Sequence, residues 1–314
     1  MSAGERRATR EALGDTLVRI GAEHPEIVVL DADLAKSTTT AKFAKAFPER
    51  FFDCGVAEQN MVGTAAGLAA AGKVAFTGSF AVFATGRAYD QVRNTVCYSK
   101  LPVKLCPTHA GITVGPDGGS HQMVEDISLM RTLPEMTVVV PADYAEACSA
   151  IECIAGLPGP SYVRLGRVAV DAIFDETYKF RLGMAPVLRE GGDVTIVACG
   201  GMVAEALAAA EELEVDRVSA EVIDMSSIKP LDIDTLLASA AKTGHVVTCE
   251  EHSVIGGLGS ACAEVLGERH PVPMKRIGMP DRFGTSGEPG ELMEHFGLTG
   301  RHVAAAVRRL LEGR

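Results

Sequence analysis

Tryptophan is absent, and aromatic residues make up only 5% of the 314-residue chain. With 47% hydrophobic residues and 33 glycines, a core must be built from Ala, Val and Gly. That composition suits a well-packed α/β protein and excludes a disordered one. No concentrated basic tract occurs. The formal net charge is −11, and Arg6, Arg7 and Arg10 are interleaved with Glu5 and Glu11, which argues against a nucleic-acid partner. Eight cysteines are present without a single Cys-x-x-Cys pair, and several sit in apolar runs such as Val194-Thr195-Ile196-Val197-Ala198-Cys199. They are expected to be small buried hydrophobes in a reducing cytosol. The first residues lack an apolar signal core, and no apolar run approaches the ~18 residues of a membrane span. The expectation is a cytoplasmic protein without a membrane role. No internal repeat of fixed period is visible.

What is present alternates. A helix over 9–23 leads to the apolar run Ile27-Val28-Val29-Leu30, which ends in Asp31-Ala32-Asp33. An aromatic strand at Phe51-Phe52-Asp53 follows, then a glycine turn and a helix starting near Glu58. Further strands are expected at 74–77, 103–106, 137–140 and 161–165, with a long helix over 80–98 and others near 122–132 and after 141. Strands alternating with helices predict a mostly parallel sheet covered on both faces. The alternation breaks between about 170 and 192, where Glu190-Gly191-Gly192 punctuates the chain. A second series then places strands near 194–199, 218–224, 245–250 and 273–278. The predicted fold is α/β, with two doubly wound domains at 1–180 and 190–314. Glu250, Glu251 and His252 read as loop polars. Gly256-Gly257-Leu258-Gly259 lacks the full dinucleotide fingerprint and reads as a strand-to-helix turn.

The segment 108–122 carries the strongest chemical signal. Gly111, Gly115, Gly118 and Gly119 argue for a backbone that comes close to something. His109, Asp117 and His121 are presented from it after a strand end, where open α/β sheets place their ligand sites. A zinc site lacks a nearby Cys or a closely spaced ligand pair. A serine hydrolase lacks its G-x-S-x-G elbow. Glu58, taken alone, is equally well an ordinary first-turn acid answering the helix dipole. Glycines within its helix cost roughly 1 kcal/mol each against Ala, so Gly63, Ala66, Gly67 and Ala70 suggest close approach of another backbone.

Four stretches together, Asp31-Ala32-Asp33-Leu34, Gly55-Val56-Ala57-Glu58-Gln59-Asn60-Met61, Thr108-His109 and Asp117-Gly118-Gly119-Ser120-His121-Gln122, resemble the transketolase family of thiamine-diphosphate enzymes. The resemblance covers nearly the whole chain, in the order pyrimidine-binding domain then C-terminal domain. It implies that Glu58 hydrogen-bonds the cofactor's aminopyrimidine and so activates the thiazolium C2–H. Phe80 and Phe83 match the aromatics on which the pyrimidine stacks. His121 and Asp117 match positions that contact the sugar near the reacting carbon. His109, further out, together with Arg10, Ser37 and Arg167, matches the substrate-phosphate side, and Asp33 would lie beside the sugar hydroxyls.

The family's Gly-Asp-Gly motif, which holds the metal bridging the diphosphate, is missing from this sequence. The resemblance therefore implies no metal ligand in this chain, with Mg²⁺ bound mainly through a separate subunit that carries the diphosphate domain. The sequence begins at the pyrimidine-domain helix, which gives the expectation of a C-terminal half of a split transketolase. Such a subunit would be active with its partner, self-associated in an α2β2 assembly, and would act on sugar phosphates. The alternatives are a relative of deoxyxylulose-phosphate synthase, the β subunit of a 2-oxoacid dehydrogenase, or a regulatory subunit that has lost catalysis.

Overall fold

A computed structural model of the protein describes residues 6–313. Seven strands form the first sheet, in the order Ser227–Lys229, Thr137–Val139, Ser161–Val163, Val103–Leu105, Val74–Gly78, Ile27–Asp31 and Phe51–Asp53. All pairings are parallel except the first. The continuous apolar run at 27–30 explains why Ile27–Asp31 lies inside this sheet, with all five residues buried. Its side chains alternate between two covers. Val28 and Leu30 pack with Met61, Val62, Ala65 and Ala66 of the helix Glu58–Ala70. Ile27 and Val29 pack with Leu13, Leu17 and Ile20 of Thr9–Glu23 and with Ile151 and Ile154 of Tyr144–Ala155.

The second sheet runs Met274–Met279, Val246–Ser253, Val194–Ala198, Ala220–Asp224 and Val187–Arg189, with only the last strand antiparallel. The helices Met202–Leu213 and Gly300–Leu311 bury Ala206, Ala210, Val303 and Val307 against Val194, Ile196 and Ala198. The expected α/β architecture with two mostly parallel sheets is therefore what the chain adopts.

Several expectations need correction. Ser227–Lys229, from the half assigned to the second domain, crosses over and pairs with Thr137–Val139 of the first sheet. Val197, Ile223 and Met225 also share one buried cluster with Leu105 and Val138, so the two halves have a common core. The long helix over 80–98 is not a regular α-helix. It widens into i to i−5 turns over Val82–Arg87 and Gln91–Cys97, marked by Ala88 N–H donating to Phe83 O and Tyr98 N–H to Arg93 O. Such widened turns cluster at functional sites. The helix expected near 122–132 is confined to Asp126–Arg131. Glu250, Glu251 and His252 belong to the strand Val246–Ser253, with Glu250 and His252 fully buried. They are polar for a reason that needs long-range contacts. Both Glu250 carboxylate oxygens accept backbone N–H groups, of Leu258 and Gly259, at the head of the next helix. His252 Nε2 accepts from Ser128 N–H of the first half, at 3.3 Å.

Candidate active site

The strands Ile27–Asp31, Val74–Gly78 and Val103–Leu105 run parallel, so the loops at 32–40, 79–81 and 106–122 emerge at one end of the sheet. Ligand sites of open α/β sheets lie at that carboxyl end. Glu58 is the first residue of its helix, and only 1% of its surface is exposed. Arg87, half exposed, donates from Nη1 to Glu58 Oε2 at 2.9 Å. The same guanidinium lies 4.6 Å from the centre of the Phe83 ring. Phe83 stands near-parallel to Phe80, with centroids 6.0 Å apart, and meets His121 edge-on at 5.4 Å. Phe80 in turn stacks on His109 at 3.9 Å.

His109 is buried, holds a left-handed backbone (φ 58°), and its Nδ1 lies 2.7 Å from Thr108 Oγ1. Burial, reinforced by the positive charges of Arg10 and Arg167, pushes its pKa down to about 3, so the ring is neutral at physiological pH. Arg10 donates from Nη1 to Ser37 O at 3.0 Å, while its buried Nε has no hydrogen-bond partner. Burial and the neighbouring Arg167 lower the Arg10 pKa. Two cations brought together, one with an orphaned donor, have the chemistry that suits an anion. Arg167 is held by Val114 O at 2.6 Å and by Asp117 Oδ2 at 3.5 Å.

The structure therefore brings together Glu58, Phe80, Phe83, His121, His109, Arg10, Ser37, Arg167 and Asp117. Asp33 stands apart from this run of contacts. Its side chain is exposed, its φ is +62°, and its backbone N–H donates to Asp53 Oδ1.

Two residues were not singled out from the sequence. Arg87 links Glu58 to the aromatics, and its spacing of four from Phe83 on a predicted helix was the available signal. Asp31 anchors the loop that carries Ser37. It accepts from Leu34 N–H at 2.6 Å and from the hydroxyls of Thr38 and Thr40, each at 2.8 Å. Burial pushes its carboxyl up to about 6.

Residues 5–171 match the pyrimidine-binding domain of transketolase, and residues 183–303 match the transketolase C-terminal domain. The chain belongs to the transketolase family. A putative transketolase C-terminal section of Methanocaldococcus jannaschii is 48% identical over 97% of this chain and 96% of its own length. A 6-deoxy-6-sulfo-D-fructose transketolase subunit of Clostridium sp. (strain MSTE9) is 48% identical over 96% of this chain and 94% of its own length. Among solved structures, a split-gene transketolase described as an inactive β4 tetramer superposes with a TM-score of 0.91 and 54% identity, covering 97% of this chain and 98% of that one. This transketolase chain thus corresponds to the C-terminal subunits of split transketolases.

Transketolases depend on thiamine diphosphate, and the matched domain is the one that takes the cofactor's pyrimidine. The residues present fit that end of the cofactor: a buried carboxylate suits a basic ring nitrogen, and the Phe80–Phe83 pair suits a flat heteroaromatic ring. Among the described residues, no group of three or more His, Cys, Asp or Glu side chains is placed to hold a metal ion.

Proposed function

We propose that the chain transfers a two-carbon ketol unit from a ketose to an aldose, as one subunit of a split transketolase. The observation that carries this reading is the unbroken run of contacts from Glu58 through Arg87, Phe83 and Phe80 to His109 and the two arginines beside it. Thiamine diphosphate, when bound, supplies the carbon nucleophile and electron sink that C–C cleavage needs. The chain's own residues do the rest. Glu58 would hydrogen-bond the pyrimidine from its buried position, and Phe80 and Phe83 would orient the ring. His121 and Asp117 hydrogen-bond the sugar beside the reacting carbon, with Asp33 at the edge. His109, as a neutral ring, together with Arg10, Ser37 and Arg167, binds the anionic end of the substrate.

Two relatives support an anion-tipped sugar, one named for a sulfofructose and one for apulose 4-phosphate. A terminal phosphate or sulfonate would satisfy the orphaned Nε of Arg10. The diphosphate and Mg²⁺ are assigned to a partner subunit, with an α2β2 complex as the active form, in the cytoplasm. The inactivity recorded for the related β4 tetramer is consistent with that dependence.

The test is to purify the chain with and without a neighbouring gene product that carries a Gly-Asp-Gly motif. Ketol transfer that needs both chains, thiamine diphosphate and Mg²⁺ is the expected result. Full activity of this chain alone would overturn the partner dependence. No transfer from any phosphorylated or sulfonated ketose by the two-chain complex would overturn the reaction itself.

A further inference from the structure

The loop that carries Asp117 and His121 is not held by its own domain alone. At its start, Thr113 N–H donates to Glu251 Oε1 of the second sheet at 2.7 Å. Gly111 lies so close to that carboxylate that a Cβ there would overlap it, and its φ is +80°. At the loop's end, Gln122 is buried, and its Nε2 lies 2.9 Å from Thr285 O of the second domain and 3.2 Å from both Ile112 O and Gly115 O. Three carbonyls facing one nitrogen determine which way the amide points, because an oxygen there would meet only acceptors. The Gln122 carbonyl fills the space left by the missing side chain of Gly284. Between these anchors, a Cβ on Gly118 would come within 2.6 Å of Ser286 Oγ, and one on Gly119 within 2.7 Å of Gly284 O. Two short 3₁₀ turns over Ile112–Asp117, broken at Gly115, complete the loop. A glycine-rich segment of this kind has little intrinsic stiffness, so its shape depends on what clasps it.

We propose that the second domain is the template for the sugar-contacting loop, with Gln122 and Glu251 as positioning residues that set Asp117 and His121. The functional half of this inference rests on the ketol-transfer reading above; the clasp itself does not. It gives the second domain a role in substrate recognition although none of its own side chains belongs to the proposed catalytic set. Losing the Gln122 donors frees the loop's C-terminal end and leaves the Glu58–Phe83 end of the site in place.

The experiment compares wild type, Gln122→Leu, Gly284→Ala and Glu251→Gln, each assembled with the partner subunit. Gly284→Ala lies wholly in the second domain and displaces the Gln122 carbonyl without touching the loop sequence. Glu251→Gln keeps an oxygen that accepts from Thr113 and serves as the conservative control. Amide hydrogen exchange over 112–122 is expected to rise at least tenfold in Gln122→Leu and Gly284→Ala, with little change over 80–87 and near-wild-type behaviour in Glu251→Gln. In the same proteins, the acceptor KM is expected to rise about tenfold, the effect of roughly one hydrogen bond, with thiamine diphosphate affinity retained. Unchanged exchange in both variants would overturn the clasp. A parallel loss of cofactor affinity and acceptor KM, with exchange raised throughout the chain, would overturn the positioning role in favour of general destabilisation. A wild-type complex without ketol transfer would count against the reaction, and the exchange readout would still decide the clasp.

Discussion

Glu58 sits at a helix start, almost wholly buried, with the Arg87 guanidinium bonded to its carboxylate. A first-turn acid serving only the helix dipole would have no need of burial. If the carboxyl acts on the pyrimidine, Glu58→Gln should keep thiamine diphosphate bound in the two-chain complex. It should also slow exchange of the cofactor's C2 hydrogen by about 10²–10⁴, the usual size of general acid–base assistance. Proton NMR of the bound cofactor in deuterated buffer measures this, and an unchanged exchange rate would remove Glu58 from that role. His109 offers a second check. Burial and two neighbouring arginines hold its pKa near 3, below the usual histidine value. The ring should therefore stay neutral throughout pH 5–9, and substrate affinity should show no His109 titration in that window. The imidazole resonances of the chain compared with those of His109→Gln would reveal it.

The helix Glu58–Ala70 shows what an element exposes beyond its own core. Met61, Val62, Ala65, Ala66 and Ala69 face inward, so Ala66 is not part of the open face, as its spacing with Gly63 and Gly67 suggested. Gly63 and Gly67 have nothing within 4 Å of where a Cβ would stand. Among the described residues, no backbone outside their own helix approaches them, so the contact they were expected to serve would have to come from another chain. Phe52 and Val56, just before the helix, are also exposed, and Phe51–Asp53 is the edge of its sheet. Gly67→Leu should therefore stabilise the isolated chain by up to about 1 kcal/mol, because Leu is the better helix former. The same change should weaken assembly. Thermal melts paired with light scattering separate the two effects, and unaltered assembly would mean that the face is not a contact.

At the scale of the molecule, the two halves meet across buried charge. Glu146 accepts from Ala142 N–H and from the Ser226 hydroxyl, each at 2.7 Å. Asp224 is fully buried at the end of its strand, and neither of its oxygens finds a donor until one of the two carboxyls carries a proton. Burial raises both: Glu146, with Asp143 repelling it and the Asp224 hydrogen bond pulling the other way, to about 6, and Asp224, facing the Glu146 charge, well above the ordinary carboxylate value. A raised carboxyl binds its proton more tightly in the folded chain, so its contribution is full below the unfolded value near 4. That contribution is lost as pH climbs through about 6 and beyond. Asp224→Asn should thus gain melting temperature over wild type by a few degrees as pH rises from 5 to 8. A difference that stays flat with pH would exclude the shared proton.

Local pattern was enough to indicate the architecture. Apolar runs such as 27–30 and 194–199, broken by glycine turns, specify buried parallel strands whatever surrounds them. Glu58, Phe80, Phe83, His109 and His121 were singled out through the family resemblance of short stretches of sequence, and the fold brings them into one run of contacts. The remainder depended on partners far away in sequence. Arg87 is 29 residues from Glu58, Gln122 is 163 from Thr285, and Thr113 is 138 from Glu251. The same holds for Ser227–Lys229, which crosses into the other sheet, and for the burial of 250–252. A single strand of sequence carries the period of its own side chains, so it determines which elements form and what chemistry they carry. Which polar groups end up facing one another across the molecule is set only when the chain closes on itself, and tertiary structure alone decided that here.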